Sequence, residues 1–312
     1  MKVKEPSALS HFRQRLSWDD LDKDAIRKLV RLAAEEDLYG KGLNNLPAKI
    51  GDQTTISMGV SGQGMATIVA RESLVACGLP MLSLILEEFE VEDAAVENPK
   101  SDGDEVEIGE TLAIISGAAV GLLAAERTLL NFIQRLSGVA TASKAFVKVL
   151  SETKTDLLDT RKTTPGYRAL EKYATATGGF FNHRYGLNDR ILVKDNHLAA
   201  NRATKGKRLA ESVAKLKEKE PDLVIEVEVD CCEQVAPVLS AGVDAILLDN
   251  FSVEEVAEAV EEIKGRAVVE ASGGIKLESA RLYAEASPHF LSTGAPVHNS
   301  SWMDLGLDWT KS

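Results

Sequence analysis

The chain has 312 residues, 44% of them hydrophobic, and carries 48 acidic against 36 basic residues for a net charge of −12. That length corresponds to about two domains and can bury a core without disulfide or metal staples. The acidic balance excludes a broad nucleic-acid-binding face, which needs basic charge spread over a whole surface.

Three cysteines, Cys77 and the adjacent Cys231 and Cys232, make no disulfide framework and suit a reducing cytosol. The start, Met1-Lys2-Val3-Lys4-Glu5-Pro6, has no apolar signal core. The longest apolar run, Leu112 to Ala125, is interrupted by Ser116, Gly117 and Gly121 and falls short of a membrane span. A cytoplasmic protein that meets neither membrane nor nucleic acid is expected.

In chain order, a polar arm comes first. Asp19, Asp20 and Asp22 offer caps for a helix running to about Glu36, with Ile26, Leu29, Val30 and Ala33 on one face. Leu38 to Gly51 is a Gly/Asn-rich loop. Between residues 56 and 117, strand-like runs (Ala66–Ala70, Val75–Cys77, Val91–Val96, Leu112–Ser116) alternate with turns such as Asp102-Gly103-Asp104. Arg71 and Glu72 read as surface or interface residues. Ala118 to about Arg135 has helical spacing, with Leu122, Leu123, Leu129, Leu130 and Ile133.

From Thr155 onward, short apolar strands alternate with helices. The strands are Leu157-Leu158, Ile191–Val193, Val224–Val229, Ala245–Leu248, Ala267–Val269 and Phe290-Leu291; the helices are Tyr167–Thr177, Leu209–Lys219, Glu233–Ala241, Val253–Ile263 and Leu277–Ala286. Repeated β-then-α units imply parallel strands with right-handed crossovers, in a barrel or a doubly wound sheet. Each strand is followed by polar candidates: Arg161/Lys162, Lys194, Glu226/Glu228, Asp249, Ser272-Gly273-Gly274 and Thr293-Gly294. Polar groups at the C-terminal end of every strand describe a barrel mouth rather than one switch point. Six strands are too few to close an eight-stranded barrel, so an incomplete one is expected. The tail holds Trp302 and Trp309, read as packing residues.

Asp159 to His197 is the most informative stretch. Its seven Lys/Arg face four acids, a local excess of positive charge in an acidic chain, which marks a candidate pocket for a small anion. Glu226, Glu228 and Asp230 share one face of a strand at period two, and buried carboxylates need partners or a metal. In Ser272-Gly273-Gly274, glycines between a strand and a helix let backbone N–H groups approach a phosphate.

Three motifs, Asp159-Thr160-Arg161-Lys162-Thr163-Thr164-Pro165-Gly166, Asn182-His183-Arg184 and Lys194-Asp195-Asn196-His197, resemble those of the quinolinate phosphoribosyltransferases. Gly51-Asp52-Gln53-Thr54-Thr55, Glu126-Arg127-Thr128-Leu129-Leu130-Asn131 and Leu136-Ser137-Gly138-Val139-Ala140-Thr141 extend the resemblance. It implies an open parallel α/β barrel over residues 130–301, with an N-terminal α/β sandwich domain from residues 1–129 joined by the tail 302–312. It implies a carboxylating pentosyltransferase of NAD biosynthesis, converting quinolinate and 5-phosphoribosyl 1-pyrophosphate to nicotinate mononucleotide, pyrophosphate and CO2 with Mg2+.

The same resemblance assigns quinolinate recognition to Arg161, His183, Arg184 and Lys194, with Thr160 beside them. Arg127 would reach across a homodimer; from its sequence neighbours alone, an ion pair with Glu126 is the alternative. Glu228, with Glu226 as the alternative, and Asp249 would hold the ribose hydroxyls and the Mg2+, and Lys162 would bridge leaving group and substrate. Ser272, Gly273, Gly274 and Gly294 would take the 5-phosphate, with Glu270 as buried support. The rivals are a nicotinate-using enzyme, an other-pathway phosphoribosyltransferase paralogue, a Schiff-base aldolase on Lys162 or Lys194, and a non-catalytic binding protein. The presence of Lys162, Glu228 and Asp249 argues against the last, and the surrounding arginines suit anions better than a Schiff-base pocket.

Overall fold

The structure, a computed structural model, describes residues 6–45 and 48–310. Residues 1–5, where no signal core was expected, residues 46–47 of the expected loop and the last two residues of the tail lie outside the described residues. The chain divides into two compact units. One comprises residues 1–15, 143–168 and 179–299; the other comprises residues 16–142, 169–178 and 300–312.

The second unit is built on a four-stranded sheet in the order Leu305–Trp309, Gln63–Ala70, Thr111–Ala118, Ala95–Glu97, antiparallel throughout. Asp22, not the aspartates before it, caps the helix Lys23–Tyr39 by accepting from the amides of Asp24 and Ala25, and the helix ends at left-handed Gly40. Asp19 and Asp20 instead form a 3-10 turn, Trp18–Asp20. Asp52 caps a short helix, Gln53–Met58. Met81–Glu88, not foreseen, is also a helix, because its Met81, Leu82, Ile85 and Leu86 are all fully buried and leave no polar alternation to read.

The terminal strand is fastened from both sides. Arg71 forms an ion pair with Asp308, and Glu72 accepts from the Asp304 amide at 2.7 Å. Trp309 lies on Gly64, where an added Cβ would come within 2.4 Å of its ring, whereas Trp302 is 53% exposed and not the packing residue expected.

The long helix Ala119–Val149 continues well past the expected end. At Gly138 the returning chain crosses it so closely that a Cβ would sit 2.0 Å from the Ser301 carbonyl oxygen. In an open helix Gly→Ala is worth up to about 1 kcal/mol of added stability. Here the obstacle is backbone, so Gly138→Ala is expected to destabilise by about 1–3 kcal/mol, read as a lower urea midpoint with unchanged slope.

The first unit holds six parallel strands in the order Asp156–Leu158, Phe290–Ser292, Val268–Ser272, Ala245–Asp249, Ile225–Val229, Ile191–Val193. Sequence order runs around the sheet without reversal, and the last strand pairs with the first. That is barrel topology; a doubly wound sheet would change direction at a switch point. The ring stays open between its first two strands, which do not pair.

Period-two alternation sets what each face meets. Ile225, Val227, Val229, Ile246, Leu248, Val269 and Ala271 join one apolar cluster with Val213 of the helix Gly206–Lys219 and Val256 of the helix Val253–Ile263. The intervening Glu226, Glu228, Leu247, Asp249, Glu270 and Ser272 take the opposite face. The N-terminal arm, expected to be polar, forms a short helix, Leu9–Phe12. Leu9 and Phe12 pack with Ala245, Val268 and Phe290, the first residues of three strands, and Phe12 stacks on Phe290 at 5.6 Å. The arm therefore plugs the sheet at the strands' N-terminal ends.

Candidate active site

Strand ends and the loops after them surround a cavity of about 380 Å³, lined by Thr160, Arg161, Lys162, His183, Arg184, Lys194, Glu228, Asp249, Glu270 and Ser272 among others. An adjoining cavity of about 220 Å³ shares Thr160, Lys162 and Ser272 and adds Gly273, Gly274, Lys276, Gly294 and His298. Of the residues that the resemblance assigns to substrate, phosphate or metal, Arg127 alone lines neither. It is exposed on the long helix and, among the described residues, has no ion-pair partner, Glu126 included. Consecutive positions on a helix do not face each other.

The first strand organises the cations. Asp159 follows it and is buried; its carboxylate accepts from the His183 amide and from Asn182 Nδ2, both at 2.7 Å. One carboxylate thus holds Asn182-His183-Arg184 against the Thr160–Lys162 segment. Arg184 is buried and donates to the Arg190 carbonyl at 3.2 Å. The Nε groups of Arg161 and Arg184 are buried with no acceptor. Burial, and after it the charge of Arg161, lowers the Arg184 pKa. Such crowding of like charges is relieved by an anion.

Acids lie across from them. Lys194 forms an ion pair with Glu228, and Asp249 accepts from Asn250 Nδ2 at 2.8 Å. Gly273 and Gly274 both have left-handed backbone, with φ of 96° and 62°. A Cβ on Gly273 would come within 2.2 Å of Asn250 Oδ1, so both torsion and space require glycine there.

Beneath the larger cavity lies a cluster whose parts were visible in the sequence but whose assembly was not. Glu226 and Glu270 are wholly buried, and their four oxygens have no hydrogen-bond donor. His183 Nε2 stands 3.4 Å from both carboxylates, and Arg190 Nε stands 3.4 Å from Glu226. Arg190 also lies over the Phe12 ring at 3.8 Å, so the arm supports the charge.

The Arg184 amide donates to His183 Nδ1 at 2.9 Å, which fixes the ring proton on Nε2, facing the acids. Burial disfavours a second proton and the two carboxylates outweigh it, lifting the pKa to about 9. Taking up that proton at Nδ1 gives up the acceptor of the Arg184 amide. Burial also works against charge on Glu226, but Arg190 and then His183 overcome it and bring its pKa to about 2. Burial and the Glu226 charge raise Glu270, so it is the first of the pair to take a proton as the pH falls.

Glu226, depressed from 4.5 to about 2, contributes stability that is full above pH 4.5 and lost as the pH falls through 2. Arg190→Met strands this charge and should cost about 3–5 kcal/mol in urea unfolding at pH 7. Glu270→Gln, which replaces the more readily protonated acid of the pair by a neutral amide, should stay within about 1 kcal/mol of the parent. Equal losses in the two variants would contradict the assignment of the charge to Glu226.

Comparison with known proteins agrees with this architecture. The family model for the N-terminal domain of quinolinate phosphoribosyl transferase matches residues 52–137, and that for the C-terminal domain matches residues 139–308. The chain is 39% identical over 294 residues to the nicotinate-nucleotide pyrophosphorylase (carboxylating) of Mycobacterium leprae, covering 93% of this chain and 99% of that one. It is 38% identical to the probable enzyme of that name from Bacillus subtilis, covering 84% and 89%. The structure of the nicotinate-nucleotide pyrophosphorylase from Francisella tularensis superposes with a TM-score of 0.83 at 33% identity, covering 95% of this chain and 100% of that one. The chain belongs to the quinolinate phosphoribosyl transferase family.

Proposed function

We propose that this protein is a quinolinate phosphoribosyltransferase of NAD biosynthesis, forming nicotinate mononucleotide, pyrophosphate and CO2 from quinolinate and 5-phosphoribosyl 1-pyrophosphate. One observation carries the reading. Two arginines with buried, acceptor-free Nε groups stand with Lys162 and Lys194 in one cavity, beside a glycine turn suited to phosphate. Arg161, Arg184 and Lys194 hold the two carboxylates of quinolinate, with Thr160 and the His183 ring as walls beside them. Backbone amides of Gly273, Gly274 and Gly294, with Ser272, take the 5-phosphate.

Glu228 and Asp249 suit Mg2+, which favours carboxylate oxygens together with water in a wet site. The dry His183–Glu226–Glu270 cluster, with Arg190 already at 3.4 Å, does not. Mg2+ held there supplies charge to offset the pyrophosphate leaving group. Glu228 and Asp249 orient the ribose hydroxyls and stabilise the positive charge that develops on the ribosyl carbon as the pyrophosphate bond breaks. Lys162, shared by the two cavities, spans substrate and leaving group. Once the pyridine nitrogen has attacked, its positive charge stabilises the electron pair left on the adjacent ring carbon as CO2 departs, and a proton from water takes that pair.

The reading includes a cytoplasmic homodimer in which Arg127 enters the partner's pocket. The three unpaired cysteines support a reducing compartment, and the exposed, unpaired Arg127 supports a role across an interface. Among the described residues, no helix is long and apolar enough to cross a membrane.

With phosphoribosyl pyrophosphate and Mg2+, quinolinate should give nicotinate mononucleotide and CO2, and EDTA should stop both. Nicotinate should be a poor substrate, since leaving paired groups empty costs about 10⁴-fold. Nicotinate mononucleotide from nicotinate without CO2 would instead identify a nicotinate-using enzyme. Arg161→Ala should lower turnover by about two to three orders of magnitude with the fold intact by circular dichroism. Arg127→Ala and Lys162→Ala, each strongly impaired but measurable alone, should regain about a quarter of parental activity when refolded together, because a mixed dimer holds one intact site.

A further inference from the structure

His298 was not singled out in the sequence, yet it joins the two halves of the phosphate cavity. It lies in the short helix Ala295–Asn299 after the last sheet strand. Its Nε2 is 3.1 Å from the backbone oxygen of Lys162. A carbonyl only accepts, so Nε2 carries the proton and donates it. The Lys162 amide in turn donates to Thr160 Oγ1 at 3.1 Å. Both backbone polar groups of Lys162 are therefore tied, one to its own loop and one to the wall of the phosphate cavity. The junction is close-packed: a Cβ on Gly294 would meet His298 Cε1 and Thr160 Oγ1 at 3.2 Å and Lys162 Cβ at 3.5 Å.

Lys162 itself is exposed, and its long side chain has several rotatable bonds. Such a side chain reaches a fixed point only if its backbone is fixed. We propose that His298 is a positioning residue for Lys162, holding its peptide against the phosphate cavity so that the lysine ammonium stands where substrate and leaving group meet. This rests on the function proposed above. It implies that the 5-phosphate and Lys162 are placed by one continuous piece of structure.

The two side-chain nitrogens of histidine have different amide mimics. The Gln amide nitrogen can reach the position of Nε2, whereas that of Asn reaches only as far as Nδ1. His298→Ala and His298→Asn are expected to lower kcat by about ten- to a hundredfold, while the KM for phosphoribosyl pyrophosphate stays within about threefold. His298→Gln should recover most of kcat, and His298→Ala should add little to the loss already caused by Lys162→Ala.

A second readout is independent of turnover. Phosphoribosyl pyrophosphate should protect Lys162 from reductive methylation, mapped by mass spectrometry, in the parent and in His298→Gln but not in His298→Ala. An inactive parent with this protection pattern would overturn the functional reading and leave the positioning role standing. A raised KM with unchanged kcat, failure of Gln to rescue, losses additive with Lys162→Ala, or equal protection in all variants would each overturn the positioning role.

Discussion

Two carboxylates sealed inside the parallel sheet set the terms for the rest of the first unit. Glu226 and Glu270 are wholly buried, and an isolated buried charge costs several kcal/mol. Arg190, the nearest arginine, offsets Glu226 first and is itself held over Phe12 of the N-terminal arm. The plug at the strands' N-terminal ends therefore does more than fill space. It backs the cation that makes the floor of the cavity tolerable. The consequence travels upward through His183, whose Nε2 faces the two acids while its Nδ1 accepts from the Arg184 amide. Asp159 holds the same segment by the His183 amide. Arg184 thus enters the cavity from a backbone fixed at two points.

Above that floor, the arrangement of charge suits the proposed substrates, which would bring negative groups to the arginines and a phosphate to the glycine turn. The acids Glu228 and Asp249 prevent the site from being a uniform cationic sink, which would bind any anion and orient none. Lys194, paired with Glu228, connects the two regions. The arrangement can orient a molecule that is anionic at both ends and becomes cationic in the middle as it reacts.

Much of this could be read from the chain, and what could not has a common cause. The six parallel strands were legible as apolar runs ending in polar residues. Within Ile225–Val229, period two put Glu226 and Glu228 on one face, and the apolar residues between them face the helices. Barrel and doubly wound sheet share that local pattern, and strand order distinguishes them. The Leu9–Phe12 turn is too short for periodicity, and it packs on Ala245, Val268 and Phe290, far along the chain. Arg190 could be counted as one of seven cations but not matched to Glu226. His298 reads as an ordinary polar residue until the fold brings it to the Lys162 carbonyl. Periodicity reports which face a residue takes; it carries no information about which distant residue meets it there.

The same distinction bears on where the site holds its unfavourable energy. Burial and Arg161 both lower the proton affinity of Arg184, so the protein keeps two guanidinium groups closer and drier than they would be in water. A well-packed apolar cavity of that size would be more stable and inert, as expected where function and stability compete. The crowding persists because packing and Asp159 hold the backbone, leaving the arginines little room to move apart. On the proposed reading, an incoming dicarboxylate would relieve repulsion that the fold has already sustained, so its binding would include a contribution absent for a neutral ligand of the same shape. A monocarboxylate relieves only part of it and leaves buried donors without acceptors. On that reading, discrimination between the two would come from the rigidity of the scaffold as much as from the identity of the arginines.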